Sequence, residues 1–146
     1  MVSVVAIRPD ADGERVLLLQ RAGEYLHGAW TYAAGHIEVD ETGSQAARRE
    51  LFEETGLVAE RLYATSFCEQ FYAPADDCIE VVPAFVAMVA PDGKVRLNGE
   101  HSAFRWLTFA SARELLPFGS QRELFAHVQR EFVDRPPCES LRVAAD

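Results

Sequence analysis

The feature that most constrains the fold of this chain is a polar helix ahead of its midpoint. The residue pattern predicts a helix from Ser44 to Thr55, and Gly56 supplies a C-terminal stop. Thr42 or Ser44 offers a hydroxyl that can cap the first turn. This helix carries several charged residues close together. The rest of the chain must therefore fold so that the charged side of the helix meets solvent or groups that compensate the charges.

Four charged residues, Arg49, Glu50, Glu53 and Glu54, fall on one side of this helix. At about 100° per residue they lie within an arc of roughly 140°. Carboxylates three and four residues apart repel one another. Arg49 lies one turn before Glu53 and can pair with it. Glu50 and Glu54 are then left without a partner, one helical turn apart.

These two unpaired carboxylates have two explanations. Two hard oxygen ligands one turn apart suit a divalent cation such as Mg²⁺, which would also relieve the repulsion between them. The other explanation is a solvated acidic helix face. From the acids alone the solvated face is favoured, because charge clusters on helices are common.

The composition is that of a soluble globular protein. Of the 146 residues, 49% are hydrophobic and 25% are charged, so we expect one domain over residues 1–146. The formal net charge is −9, from 23 acids and 14 bases, and such a chain has no field to attract a nucleic acid. An anionic substrate would be repelled unless metal cations or a few arginines bridged the like charges.

The sequence also carries expectations about location and cysteines. No run approaches the roughly 18 apolar residues of a membrane helix, and the apolar start, residues 1–7, lacks a preceding basic region. We therefore expect a cytoplasmic protein with no membrane partner. Cys68, Cys78 and Cys138 are odd in number and lack C-x-x-C spacing, which disfavours a disulfide framework or a zinc site. Cys68 and Cys78 are each expected to be a small buried hydrophobe.

Apolar runs on both sides of the acidic helix predict strands. The predicted strands are residues 2–7, 15–20, 30–37, 62–72, 79–89 and 104–107, and two later helices are predicted at 111–116 and 121–132. The second strand is apolar enough to be buried on both faces. Alternation of strands and helices is typical of α/β or α+β proteins.

The residues around the acidic helix favour the metal site over the solvated acidic face. From Gly35 the chain runs through five residues to Glu41, then through seven residues to R-E-L-F-E-E-T-G-L at 49–57. This resembles the Nudix box, G-x5-E-x7-R-E-U-x-E-E-x-G-U with U a bulky apolar residue, at all nine specified positions. Neighbouring segments also resemble the family: Gln20-Arg21, Gly28-Ala29-Trp30, and Glu100 followed by Arg105-Trp106-Leu107.

The resemblance implies a fold and a chemistry. The expected fold class is α/β, namely the Nudix fold, in which a mixed β-sheet is sandwiched between α-helices. The expected reaction is Mg²⁺-dependent hydrolysis of a phosphoanhydride bond in a nucleoside diphosphate linked to another moiety, with Mn²⁺ as a substitute ion. The metal would polarise phosphoryl oxygens and lower the pKa of a bound water.

Roles for individual residues follow from the same resemblance. The expected metal ligands are Glu50, Glu54, Glu100 and the carbonyl of Gly35. The expected catalytic residues are Glu53, Arg49 and Glu100, with Arg49 orienting Glu53. The general base is either Glu53 or Glu100, and the neighbouring His101 is expected to be a plain surface histidine. Glu41, Leu51, Gly56 and Leu57 are expected to be structural, with the two leucines anchoring the helix on the sheet.

The leaving group is less constrained than the chemistry. The late motifs resemble the dATP and dihydroneopterin triphosphate pyrophosphohydrolase branch, in which Arg21 and Ser120 would contact the substrate. The favoured function is therefore a nucleoside triphosphate pyrophosphohydrolase that releases a nucleoside monophosphate and pyrophosphate. Alternatives are hydrolysis of ADP-ribose, a nucleotide sugar or a dinucleoside polyphosphate, and a non-catalytic nucleotide-binding module. The expected partner is a nucleotide, and a homodimer stays open.

Two further details concern the nucleotide. Ala34 stands where the triphosphate branch often has a hydroxyl residue, so one substrate contact is missing. The aromatic residues Trp30, Tyr32, Phe71 and Tyr72 could stack a base, but core positions are expected for each.

Overall fold

The apolar run at the N-terminus forms the centre of a mixed β-sheet in the computed structural model, which describes residues 1–145. The strands are β1 (Val2–Asp10), β2 (Gly13–Arg21), β3 (Trp30–Thr31), β4 (Ala33–Gly35), β5 (Arg61–Ala73), β6 (Cys78–Met88), β7 (His101–Leu107) and β8 (Arg142–Val143). The helices are α1 (Gly43–Thr55), α2 (Phe109–Leu115) and α3 (Gly119–Val128), followed by a π-helical turn (Gln129–Val133) and a 3₁₀ turn (Glu139–Leu141).

The sheet is mixed because β1 pairs in parallel with β6 and antiparallel with β2. The main strand order is β3-β2-β1-β6-β5-β8, and β4 and β7 pair with β1 and β2 respectively. Within these pairs Gly35 lies opposite Val2, and His101 lies opposite Arg21. The start of β7 is thereby brought to the carboxyl end of β2.

Alternating side chains of the central strands build one core on each face of the sheet. Leu17 and Leu19 share a buried cluster with Leu51 of α1, whereas Val16 and Leu18 share another with Phe125 of α3. Helix α1 therefore covers one face, and α2 and α3 cover the other. The α/β/α sandwich is confirmed, and β2 is buried on both faces as its composition predicted.

The ends of α1 lie where the sequence placed them, within one residue. The Thr42 hydroxyl accepts a hydrogen bond from the Gln45 N–H at 3.2 Å, and the Gln45 side chain accepts one from the Thr42 N–H at 2.9 Å. Gly56 adopts φ 73°, a left-handed conformation that favours glycine, and its N–H donates to the Phe52 carbonyl. These caps fix both the length and the direction of the helix.

The predicted strand 30–37 is divided into β3 and β4, and the chain from residue 36 to the start of α1 is a loop. The predicted third helix begins two residues early and gives way to the π-helical turn after Val128. Within the described part of the chain, no helix combines the length and hydropathy needed to cross a membrane.

The expectation that Cys68 and Cys78 are buried is wrong. Cys68, Cys78 and Cys138 are all free and exposed. The cores lie on the central strands, while the first two of these cysteines lie on the β5–β6 ribbon, whose far half is largely solvated. Phe71 and Tyr72 are exposed on the same ribbon, contrary to expectation, whereas Tyr32 is buried as expected.

Candidate metal and catalytic site

Two carboxylates of α1 lie directly against strand β4. The backbone N–H of Ala34 donates to Glu54 Oε2 at 2.9 Å. A Cβ atom on Gly35 would overlap the carboxylate of Glu50. Any side chain at residue 35 would therefore displace the Glu50 carboxylate. The φ of Gly35 lies outside the left-handed region, so space and not backbone conformation favours glycine here. The helix and the strand together hold both acids one turn apart on the sheet side.

Arg49 ties the helix to the loop that precedes it. Its Nε and Nη2 donate to the two carboxylate oxygens of Glu41 at 2.7 and 2.9 Å, and Nη2 also donates to the His36 carbonyl at 2.8 Å. The expected contact with Glu53 is present at 3.2 Å, but the contact with Glu50 is shorter, at 2.7 Å. The expectation that Arg49 leaves Glu50 without a partner is therefore wrong.

The positive charge of Arg49 and burial shift the pKa values of the neighbouring acids in opposite directions. Hydrogen bonds from Arg49 lower the pKa of Glu41 to about 2. For Glu50, burial raises the pKa, and hydrogen bonds from Arg49 oppose the rise. Glu41 thus acts as a permanently charged clamp on the loop, while Glu50 is held at the edge of the buried site.

Glu54 is the most strongly perturbed acid of the site. It is 4% exposed, and burial raises its pKa to about 8, with the charges of Glu100 and Glu50 adding to the rise against the Ala34 hydrogen bond. Among residues 1–145, neither lysine nor arginine forms an ion pair with this carboxylate. An ionised Glu54 therefore lacks a compensating positive charge, which a divalent cation would supply.

Strand β7 brings two further residues to Glu54. One ligand atom each from Glu54, Glu100 and His101 lie within 4.8 Å of one another. The expectation of a surface histidine is wrong, because His101 is 7% exposed and its Nδ1 lies 3.9 Å from Glu54 Oε1. The start of β7 pairs with Arg21, which places His101 inside the sheet edge instead of in a loop. Burial lowers the pKa of His101; the negative charge of Glu100 opposes this shift, and the positive charge of Arg21 adds to it.

Arg21 lies next to this cluster, opposite His101 on the neighbouring strand, and its predicted contact with substrate stays a prediction. Its guanidinium carbon is 5.5 Å from the ring centroid of Tyr25, which is 74% exposed. The Ala22 N–H donates to the Glu100 carbonyl, so the loop after β2 is fastened to the start of β7. Sequence reasoning did not single out Tyr25.

Ser120 lies on the opposite face of the sheet from the acids of α1. Its hydroxyl donates to Glu69 Oε2 at 2.9 Å, and the hydroxyl of buried Tyr32 donates to the other oxygen of Glu69. Tyr32 belongs to the core under α3. The substrate contact predicted for Ser120 stays a prediction, and the structure gives this hydroxyl a buried partner. Glu69 was missed, although a lone acid amid the aromatic residues of a strand was a usable signal.

The donor set fits a hard divalent cation. It offers carboxylate oxygens from Glu50, Glu54 and Glu100, which are the ligands that Mg²⁺ and Mn²⁺ prefer. Leu51 and Leu57 are buried in the core beneath α1, so the acids are held on a packed element. The Gly35 carbonyl stays a predicted ligand.

Known proteins are similar to this chain over most of its length. A family model described as the NUDIX domain matches residues 1–134. A bis(5'-nucleosyl)-tetraphosphatase (asymmetrical) of Sus scrofa is 36% identical over 104 residues, which cover 70% of this chain and 69% of that protein. An octanoyltransferase of Myxococcus xanthus is 38% identical over 129 residues, which cover 84% of this chain but 34% of that protein, so this chain spans about a third of its length.

A solved structure is similar to this chain over most of its length. The structure of a Caenorhabditis elegans Ap4A hydrolase binary complex superposes with a TM-score of 0.75 and 25% sequence identity. The superposition covers 88% of this chain and 93% of that chain. The similarity therefore extends well beyond the acidic helix and its loop.

Replacing Glu54 by glutamine should stabilise the metal-free protein at alkaline pH. Folding raises this pKa from 4.5 to about 8, so the stability linked to the bound proton is present below about pH 4.5 and is lost as the pH rises through about 8. Since one pKa unit corresponds to about 1.4 kcal/mol, this shift allows a gain of up to about 5 kcal/mol in the free energy of unfolding. Denaturant unfolding in EDTA at pH 9 measures it.

The same comparison at pH 4.5 should show little difference between wild type and Glu54→Gln. Glu114→Gln, an exposed position on α2, serves as the matched control and should show no pH-dependent gain. A stability difference for Glu54→Gln that did not change between the two pH values would contradict the raised pKa.

Gly35→Ala should impair the site far more than the fold. The added Cβ would displace the Glu50 carboxylate, which is the end of a flexible side chain, so we expect a stability loss of about 1 kcal/mol or less. Divalent-metal affinity should fall about 10- to 100-fold, as measured by titration calorimetry. Gly23→Ala is the control, because a Cβ there meets nothing within 4 Å. Unchanged metal affinity in Gly35→Ala would exclude this packing role.

Proposed function

Because this chain belongs to the Nudix family, we propose that it is a divalent-metal-dependent hydrolase that cleaves a dinucleoside polyphosphate asymmetrically at a phosphoanhydride bond. The observation that carries the chemistry is the buried carboxylate of Glu54 beside Glu50 and Glu100, without a lysine or arginine partner in the described residues. Such an arrangement disfavours a solvated acidic face and favours a cation site.

In this proposal Glu50, Glu54 and Glu100, together with the Gly35 carbonyl, hold Mg²⁺, with Mn²⁺ as a substitute. When bound, the ion neutralises phosphate charge and lowers the pKa of a coordinated water. The protein has a net charge of −9, so metal cations or arginines must bridge the like charges when a polyphosphate binds. Arg21, which pairs with His101 beside the acids, would supply a further positive charge for the phosphates.

We assign the general base to Glu53 and a ligand role to Glu100. Glu53 lies on the solvent side of α1, 53% exposed, and Arg49 holds its carboxylate at 3.2 Å. In the reaction, a water oxygen attacks phosphorus, its proton passes to Glu53, and the phosphoanhydride P–O bond breaks with the electron pair leaving on the phosphate oxygen. Glu100 lies instead with Glu54 and His101, where ligand atoms converge.

The substrate class rests on the relatives and on the surroundings of Arg21. The tetraphosphatase of Sus scrofa and the hydrolase of C. elegans match this chain over most of their own lengths. Near Arg21, the exposed Tyr25 ring offers a face on which a nucleobase can stack. A polyphosphate held at the acids with a base on this ring is consistent with a dinucleoside substrate.

A nucleoside triphosphate pyrophosphohydrolase is the second candidate. The position of Arg21 beside His101 and Glu100 favours it, because the arginine at this place in the triphosphate branch contacts the substrate. The two candidates use the same site and differ in products. A dinucleoside tetraphosphate cleaved asymmetrically gives a triphosphate and a monophosphate, whereas a triphosphate gives a monophosphate and pyrophosphate.

Product analysis of a nucleotide panel with Mg²⁺ should distinguish the candidates. The panel holds diadenosine tetraphosphate, the nucleoside triphosphates, ADP-ribose and a nucleotide sugar. We expect the highest kcat/KM for diadenosine tetraphosphate, with ATP and AMP as products, and loss of turnover in EDTA. Glu54→Gln should reduce turnover at least about 100-fold, while Glu114→Gln should not.

Each other result of this panel has a distinct meaning. Preferred turnover of a triphosphate with release of pyrophosphate would replace the first candidate by the second. Folded protein that binds nucleotides without turning over any of them would contradict the hydrolase and favour a binding module.

Glu53→Gln and Glu100→Gln should separate the base from the ligand. Glu53→Gln should lower kcat about 100- to 10,000-fold with metal affinity nearly unchanged, because it removes only the proton acceptor. Glu100→Gln should weaken Mg²⁺ binding, so that added metal partly restores its rate. Titration calorimetry and rates over a range of Mg²⁺ concentration measure both effects. The reverse pattern would exchange the two roles.

A further inference from the structure

His101 is a nitrogen donor within the acidic site. It is the first residue of β7, and its side chain is 4% exposed. Its Nδ1 faces Glu54 Oε1 at 3.9 Å, and Glu100 lies in the same cluster. The position is fixed by backbone pairing with Arg21 on β2, so the ring is carried by the sheet and not by a mobile loop.

The Nδ1 atom is buried and has no hydrogen-bond partner among residues 1–145. Its distance from Glu54 is too long for a hydrogen bond. A buried polar atom without a partner costs about 1–3 kcal/mol, and buried polar atoms are therefore almost always satisfied. A metal ion or a water from outside the chain would satisfy this nitrogen.

We propose that Nδ1 of His101 is a direct ligand of the divalent cation held by Glu54 and Glu100, and that it shifts the preference of the site from Mg²⁺ towards Mn²⁺ and other first-row transition metals. The proposal rests on the proposed function in that a cation occupies this site. It adds a nitrogen to a ligand set that otherwise consists of oxygens.

The spacing of the three residues is compatible with shared coordination. Metal–ligand distances of about 2.1 Å place the ligand atoms of an octahedral site about 3 to 4 Å apart. The 3.9 Å between His101 Nδ1 and Glu54 Oε1 falls in this range. The three ligand atoms, one from each residue, are no more than 4.8 Å apart, so a small movement of a side chain brings all three to coordination distance. Glu100 is exposed, so its carboxylate is free to make that adjustment.

The chemistry of the donor determines the expected selectivity. Mg²⁺ prefers oxygen ligands and retains its waters. Imidazole nitrogen binds Mn²⁺ better than Mg²⁺, and binds the later first-row metals better still. A site with one histidine should therefore discriminate against Mg²⁺ more than an all-oxygen site. Removing the nitrogen should weaken Mn²⁺ binding about 10-fold while changing Mg²⁺ binding much less.

Pulsed electron paramagnetic resonance of the full chain with Mn²⁺ alone tests the coordination directly. We expect one bound Mn²⁺ with electron spin-echo modulation from a directly coordinated imidazole ¹⁴N. The modulation should disappear in His101→Asn and persist in His127→Asn, a control on the opposite face of the sheet. Calorimetry on the same variants should give the selective loss of Mn²⁺ affinity.

The outcomes distinguish this proposal from the proposed function. Bound Mn²⁺ without nitrogen modulation in the wild type would overturn the role of His101 and leave a carboxylate metal site. Modulation that persists in His101→Asn would also overturn it. Absence of Mn²⁺ and Mg²⁺ binding would overturn the metal site itself. Since the wild-type spectrum decides the main question, a variant that fails to fold does not remove the test.

Discussion

The site depends on the burial of Glu54 against β4. Leu51 packs into the core on the same helix, so hydrophobic packing of α1 forces the neighbouring carboxylates towards the strand. Burial favours the protonated form of Glu54, while Glu50 and Glu100 add negative charge nearby. The fold thus maintains an electrostatically unfavourable arrangement that a bound cation would relieve, which is typical of sites whose stability is traded for function.

Arg49 makes this arrangement compatible with a well-defined loop. Its guanidinium contacts Glu41, Glu50, Glu53 and the His36 carbonyl, so one side chain orders the loop and spaces the acids of the helix. A lysine would keep the charge but could not contact several acceptors in fixed directions. Glu54 lies outside the reach of these contacts. Glu54, which has no lysine or arginine partner among residues 1–145, is therefore the acid whose charge a bound cation would neutralise.

The sequence was sufficient where the structure depends on local spacing. The ends of α1 and the placement of its acids on one side follow from residues within one helix and its loop. It was insufficient where strand pairing decides the outcome. The burial of His101 comes from its register opposite Arg21, and the bond between Ser120 and Glu69 joins positions 51 apart. Exposure of Cys68 and Cys78 depends on which part of a long ribbon the helices cover.

In our proposal the acids of α1 and the start of β7 bind one divalent cation against β4. Crystals grown with Mn²⁺ and measured at an energy where manganese scatters anomalously test this binding most directly. We predict an anomalous peak about 2.2 Å from carboxylate oxygens of both Glu50 and Glu54. Mn²⁺ bound only elsewhere on the protein, with Glu54 still hydrogen-bonded and free of metal, would contradict it.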